Sequence, residues 1–460
     1  MKMNKKKRKN RTSAESSAVE PSPKRTNSRL RFAGVLFLIV VAAFATRVGA
    51  AWYWQTRFAD AGETAPLYFG DSVTYWRLAE AIAEGRPYQF DEWRVFRMPG
   101  YPLTLAPVIS LFGESQSRAC AIAARIENAL IGSLLVAAVG LLALQIFRQT
   151  RAAALAALFA AFEPCNVISS VWILSETPFC LVMIAQIALF LVAIRTQKFR
   201  KLLLVAVLFA IASAATVYFR PSWLYFALFL TIFHTAFLLF FRATPSSPKE
   251  FSPLFRGIVI VGVFAPIFVA CMSPWWIRNY RATGRFVSTT LQMGPSLYDG
   301  LNPDATGASD MRFVETFRRL ERENPSADLR DTYEYRLNER LKRESIDWIK
   351  QNPQRAAELA VVKFFRFWNV YPNEPAFSQP LVRLLLFLTS TPLLAGAVCG
   401  FWKARRQFRE ESLALIIPAI YLTILHMIFV SSLRYRVPPA LCLMILAAFF
   451  FGTKGKKAKS

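Results

Sequence analysis

The chain has 460 residues, 54% of them hydrophobic, with a mean hydropathy of +0.31 and a formal net charge of +26. That apolar content excludes a soluble globular protein and points to an all-α polytopic integral membrane protein. The basic excess would suit nucleic acid, but its placement excludes that partner, because the Lys/Arg clusters alternate with apolar segments long enough to cross a bilayer.

In chain order, residues 1–30 are rich in Lys, Ser and Pro without apolar periodicity and read as a disordered basic cytoplasmic tail. The apolar runs predict about ten membrane spans, at 31–52, 121–146, 152–171, 177–195, 202–218, 223–241, 257–276, 381–401, 412–430 and 436–452. The span at 152–171 is interrupted by Glu163-Pro164. The first span lacks a small-residue cleavage site and reads as a retained anchor. With the N-terminus inside, the cytoplasmic links and ends, together with Arg31 and Arg195 at the span edges, hold 28 basic and 5 acidic residues, which accounts for +23 of the +26. This positive-inside bias makes the protein multi-pass with a cytoplasmic N-terminus, and 453–460 is a second basic cytoplasmic tail. The spans divide the chain into an N-terminal membrane module (31–276, with a first outer loop at 53–120), a mostly helical extracytoplasmic segment (277–380) and C-terminal membrane helices (381–452).

The first outer loop carries Gly70-Asp71-Ser72, Tyr75 and Arg97-Met98-Pro99-Gly100-Tyr101-Pro102. Ser72–Glu84 reads as an interfacial helix. Pro99–Pro102 reads as a turn in which Gly100 can take φ > 0, and Tyr101–Phe112 as an interfacial or re-entrant helix. Asp71 is either an N-cap or a base, and the two roles are compatible. Asp91 and Glu92 read as solvated loop acids. Further outer pieces are the link Trp172–Glu176, Tyr218-Phe219-Arg220-Pro221-Ser222, and a charged helical stretch from Ser309 to Trp368 interrupted near Asn324-Pro325 and Asn352-Pro353. Glu163 and Glu176 lie near membrane depth, where a carboxylate is a functional candidate by default. Arg125 and Glu127 are expected to neutralise each other.

The six cysteines show neither metal spacing nor a disulfide framework. The two histidines, His234 and His426, fall inside expected spans, so proton transfer in the outer loops is left to carboxylates, Tyr or Lys. Arg97, Arg220, Arg278, Arg281, Arg434 and Arg436 lie at outer span ends against the positive-inside bias, which suggests an anion to be held. Guanidinium pairs bidentately with phosphate, so a phosphate-bearing ligand near the outer leaflet is the economical reading.

Five motifs occur in order: Gly-Asp-Ser-x-x-Tyr-Trp-x-Leu-Ala from Gly70, Arg-x-Pro-Gly-Tyr-Pro from Arg97, Leu-Ser-Glu-Thr from Leu174, Pro-Trp-x-x-Arg-Asn-Tyr from Pro274 and Arg-Tyr-Arg-x-Pro from Arg434. Together they resemble bacterial membrane glycosyltransferases of the C-type fold, in particular the family-39-type, aminoarabinose-transferase-like enzymes related to protein mannosyltransferases. The resemblance implies a polyprenyl-phosphate-linked sugar donor, an extracytoplasmic acceptor (lipid, glycan or protein) and residence in the bacterial inner membrane among its lipids. The family's first-loop acid maps to Asp71, which becomes the expected base of an inverting transfer. Arg97, Arg278, Arg434 and Arg436 are expected to hold the donor phosphate, and Tyr75, Tyr101, Glu176, Arg220 and Tyr435 to line the substrate. No nucleotide cofactor and no dedicated metal ligands are expected. A divalent metal is compatible with this chemistry, but where some relatives have an Asp-Glu pair this chain has Asp71-Ser72. The alternative is a transporter or flippase for the same lipid-linked sugar.

Overall fold

The computed structural model describes residues 23–60, 70–112, 117–241, 251–323, 332–373 and 377–453. The expected N-terminal tail up to residue 22, the interruption at Asn324-Pro325 and the Lys454–Lys459 tail lie outside them. Residues 23–30, assigned to the tail by composition, are helical and continue into the first span.

Among the described residues nine helices are long and apolar enough to cross a membrane. They fall in α1 (Pro23–Asp60), α4 (Arg118–Phe147), α7 (Glu176–Arg195), α8 (Phe199–Phe219), α9 (Phe226–Phe240, extended by a 3-10 turn from Pro221), α10 (Pro253–Thr283), α15 (Pro380–Ala404), α16 (Arg409–Ile428) and α17 (Leu433–Gly452). The segment expected as one span at 152–171 is split into α5 (Thr150–Phe162) and α6 (Pro164–Ser169). Pro164 has no amide to continue the ladder, so the helix restarts there, and Glu163 caps the new start by accepting from the Asn166 amide at 2.7 Å. Arg47 of α1 donates to the carbonyls of Ala160 and Ala161, at 3.1 and 2.9 Å, and so satisfies groups that the break leaves open.

The broken segment still crosses. Asn128, near the start of α4, donates to the Trp172 carbonyl at 2.9 Å, whereas Arg195, at the end of α7, donates to the Gln145 carbonyl near the end of α4 at 2.9 Å. α5 and α6 together therefore run the length of α4 in return, making a tenth crossing. α5 can sit deep because Ala152, Ala153, Ala156, Ala157, Ala160 and Ala161 are fully buried and let neighbouring backbones approach. α17 is the central helix, packed against α5, α15 and α16. At its crossing with α15, a side chain on Gly400 would collide with the Leu446 carbonyl.

On one side of the bundle, the outer side by the expected charge placement, lie α2 (Gly70–Ala83), α3 (Gly100–Phe112), α11 (Met293–Gly300), α12 (Phe313–Glu323), α13 (Tyr333–Gln351) and α14 (Pro353–Trp368). The only bridge among the described residues is the isolated pair Phe90–Trp93. The boundary expected at 276/277 falls inside α10, which continues to Thr283 and stops where Gly284 takes the left-handed conformation (φ 70°). Glu334, in the first turn of α13, accepts from the Arg94 amide at 2.8 Å and the Val95 amide at 3.0 Å, tying the first loop to the outer helices. Lys363 of α14, fully buried, donates to the Ile428 carbonyl at 2.7 Å, and the Ser431 amide donates to the Gly307 carbonyl at 3.2 Å. The turn between α16 and α17 is thus clasped by the outer helices.

Candidate functional site

Asp71 lies in the first turn of α2 rather than at its N-cap, because the helix begins at Gly70. α2 rests on α3, and α3 is brought close to the end of α8. A side chain on Gly100 would stand 2.6 Å from the Tyr218 carbonyl. Gly100 is thus required for close approach, not for the positive φ expected of a turn, since it opens α3 and is absent from the positive-φ glycines.

Two guanidiniums hold Asp71. Arg97 donates to Oδ1, and Arg434, in the first turn of α17, donates to Oδ2 at 2.9 Å. Arg434 also donates through Nε to Glu176, the first residue of α7, and Glu176 lies 3.3 Å from Arg220. The result is one chain of charges, Arg97–Asp71–Arg434–Glu176–Arg220, assembled from α2, α3's leading strand of loop, α17, α7 and the end of α8. Asp71 is its most open member, with 32% of its side chain exposed, whereas Glu176 is 1% exposed. Three guanidiniums against two carboxylates leave one positive charge uncompensated, which suits a singly charged phosphate diester. Burial raises the pKa of the Asp71 carboxyl, but the facing Arg97 and Arg434 charges outweigh it and hold the group below the usual carboxylate range. Glu176 sits where the N-terminal end of α7 favours negative charge, and its Oε2 has no hydrogen-bond partner.

Aromatic rings brace the arginines. Arg97 lies over Tyr75 (5.2 Å) and Phe96 (4.7 Å), and Arg220 over Phe179 (5.7 Å) and Tyr435 (5.5 Å). The Tyr75 hydroxyl is 3.2 Å from Ser175 Oγ, and Arg97 Nε donates to Thr74 Oγ1 at 3.3 Å. Tyr435 stacks on His426 with centroids 4.4 Å apart. His426 is inside its span, as its position suggested, yet it underlies the site through Tyr435. The sequence signals for Ser175 and Thr74 were their places inside two motifs already singled out; nothing local marked His426.

Other expected site residues lie elsewhere. Tyr101 is fully buried and its hydroxyl accepts from Asn128 at 2.7 Å, so it packs under the site instead of lining it. Arg278 is held between Tyr88 and Trp275 (5.4 and 5.0 Å) and donates to the Tyr88 carbonyl; it braces the first loop and does not reach Asp71. Arg436 faces away from Arg434, since two helical residues differ by about 200° around the axis. Its guanidinium donates to the Asn369 carbonyl and to Ser390 Oγ at 3.3 Å. Asp91 and Glu92 pair with surface arginines, 3.5 Å from Arg77 and 2.6 Å from Arg322 respectively. Arg125 and Glu127 do not neutralise each other: Arg125 donates to Gln55 and to the Val171 carbonyl, and Glu127 Oε2 has no partner. Among the described residues no three His, Cys, Asp or Glu side chains gather closely enough to hold a metal ion. The bridge between the two carboxylates is Arg434.

Residues 96–288 match the profile of the family described as dolichyl-phosphate-mannose-protein mannosyltransferase, a stretch that includes Arg97, Glu176 and Arg220 but not Asp71 or Arg434. No curated protein matches the chain. Among solved structures, the archaeal oligosaccharyltransferase AglB from Archaeoglobus fulgidus, in complex with an inhibitory peptide and a dolichol-phosphate, superposes with a TM-score of 0.57 at 12% identity, covering 92% of this chain and 50% of that one. A second Archaeoglobus fulgidus oligosaccharyltransferase structure, with Zn and sulfate, gives 0.55 at 13% identity over 90% and 48%. ArnT from Cupriavidus metallidurans, bound to undecaprenyl phosphate, gives 0.40 at 15% identity over 93% and 78%. The chain thus spans about half the length of the two oligosaccharyltransferases. It is a polytopic, all-helical membrane protein of the C-type glycosyltransferase fold, carrying over residues 96–288 the signature of the dolichyl-phosphate-mannose-protein mannosyltransferase family.

Proposed function

We propose that the protein is an inverting glycosyltransferase of the bacterial inner membrane that moves a sugar from a polyprenyl-phosphate-linked donor to an extracytoplasmic acceptor. The observation that carries this reading is a part-exposed Asp71 clamped between Arg97 and Arg434 at the outer ends of the helices. The family signature supports it, and the dolichol-phosphate and peptide bound to AglB are of the kinds expected for a carrier and an acceptor.

The acceptor hydroxyl or amine forms a bond to the anomeric carbon on the face opposite the phosphate. The bond from that carbon to the phosphate oxygen breaks, and its electron pair leaves on the polyprenyl phosphate. The acceptor proton passes to the Asp71 carboxylate. Before donor binds, Arg97 and Arg434 neutralise Asp71. An incoming phosphate competes for the same guanidiniums, and as they turn to the leaving group the carboxylate recovers basicity, because those two charges are what lowers its pKa. Glu176 holds Arg434 in place through Nε while Nη2 reaches Asp71. The bond that breaks is already activated by the lipid phosphate, so the step consumes no nucleotide.

The test is Asp71→Asn in proteoliposomes supplied with a polyprenyl-phosphate sugar and an extract of envelope acceptors. Transfer is expected to fall by about 10²–10⁴-fold while carrier lipid is still bound. Turnover at the wild-type rate would overturn the assignment of the base, and movement of donor across the vesicle without any product would favour the flippase.

A further inference from the structure

Arg220 and Arg434 meet the same oxygen of Glu176, so two like charges share one anionic atom. The ring of Tyr435 lies against both guanidiniums, 5.5 Å from that of Arg220 and 5.6 Å from that of Arg434. The face of an aromatic ring carries partial negative charge, so Tyr435 offsets repulsion that the single carboxylate oxygen leaves. It can do so only while its face is held towards them. His426 holds it, because the two rings stack with centroids 4.4 Å apart and planes 11° from parallel. Behind His426 stands Phe367 of α14, at 5.6 Å and 18°. Three near-parallel rings thus run from α14 through α16 to the charge chain.

His426 is fixed in turn. It is buried, and its Nδ1 is 2.8 Å from the Val430 carbonyl. A carbonyl only accepts, so Nδ1 carries the hydrogen. α14 is tied to α16 beside the ring, by Lys363 on the Ile428 carbonyl at 2.7 Å and by Trp368 Nε1 on Thr423 Oγ1 at 3.1 Å. The simplest role for such a histidine is to satisfy a carbonyl in the turn that follows α16. That role needs the hydrogen bond; it does not need a parallel stack on Tyr435.

We propose that His426 is a positioning residue of the transfer: stacked on Tyr435, it keeps Arg220 and Arg434 together on Glu176 and so keeps Arg434 on Asp71. Its part in the reaction rests on the reading of Asp71 as the base; the placement of Arg434 does not. The charged groups that face Asp71 are Arg97 from the first loop and Arg434 from α17, with Glu176 of α7 beyond Arg434. Of the two cations, Arg434 is the one that the stack reaches.

The experiment compares His426→Phe, which keeps a ring in the stack but loses the bond to Val430, with His426→Leu, which loses both. Two midpoints are read on the full chain: the acid limb of kcat/KM for sugar transfer in proteoliposomes, and the ionisation of Asp71 by infrared difference titration against Asp71→Asn. In His426→Leu both should rise by at least about one pH unit, because one facing cation is no longer held against the carboxylate. In His426→Phe both should stay at the wild-type value. Midpoints unmoved in His426→Leu would overturn the role. So would an equal rise in both variants, since the hydrogen bond and not the stack would then matter. If His426→Leu does not fold, Tyr435→Leu removes the same ring contact; the same rise is expected, and its absence overturns the proposal. Should Asp71→Asn transfer sugar at the wild-type rate, the base is misassigned, and the infrared midpoints, referenced to that same variant, still decide whether His426 positions Arg434.

Discussion

Arg434 joins two carboxylates with different tasks. Asp71 is open enough to meet a substrate, while Glu176 is sealed and bears on Arg434 and Arg220 through the same oxygen. Removing one partner of a buried ion pair leaves the other charge uncompensated, so Glu176→Ala is expected to destabilise the protein by on the order of 3 kcal/mol, read as a lower midpoint of thermal unfolding in detergent. Asp71 gives a prediction in pH. Its folded pKa lies below the unfolded one, so it stays ionised as pH falls through the ordinary carboxylate range, and the stability from its ion pairs is lost only at lower pH. The acid limb of kcat/KM should therefore lie below about pH 4. In Arg97→Met, with one of the two charges gone, the limb should move upward. A limb unchanged by that substitution would show that the clamp does not control Asp71.

At the scale of elements, the site depends on how outer helices grip loops. Burial raises the Glu334 carboxyl to about 7, against the two backbone amides that it accepts from, which favour its ionised form. Its folded pKa exceeds its unfolded one, so the fold favours the protonated form. The associated stability is full below the unfolded value near 4.5 and is lost as pH rises toward 7. Glu334→Gln keeps an acceptor for the amides without the buried charge. The variant is expected to unfold at least about 2 °C above wild type at pH 8, with a flatter dependence between pH 5 and 8. A variant that unfolds well below wild type at pH 8 would show that the charge itself is needed. The break in the third span was legible as Glu163-Pro164. What makes it tolerable was not, since Arg47 comes from more than a hundred residues earlier in the chain. Likewise Gly100 stood out in a Pro-rich run, but the reason for glycine there is the Tyr218 carbonyl of another helix.

For the whole molecule, the side on which Asp71 emerges depends on the parity of crossings. With α5 and α6 counted as one passage, both chain ends lie on the same face, opposite Asp71, Glu176 and Arg434. In a chain carrying Cys399→Ser, a cysteine at Asp91 should react with a membrane-impermeant maleimide in intact cells, and one at Lys198 only after permeabilisation. The reverse pattern would place the site in the cytosol and remove access to an outer acceptor. Composition and charge placement alone determined the class and predicted about ten crossings and their direction, because bilayer solvation acts on each segment independently of its neighbours. They also exposed the chemically loaded first loop and the excess of outer arginines. Only the tertiary structure decided which arginines serve together. Arg434 and Arg436 are nearly equivalent in sequence, yet helical rotation sends one to Asp71 and the other to the Asn369 carbonyl and the Ser390 hydroxyl. The reason is physical: a charge cluster is a property of distances between side chains from separate helices, and those distances are set by packing that no local run of residues encodes.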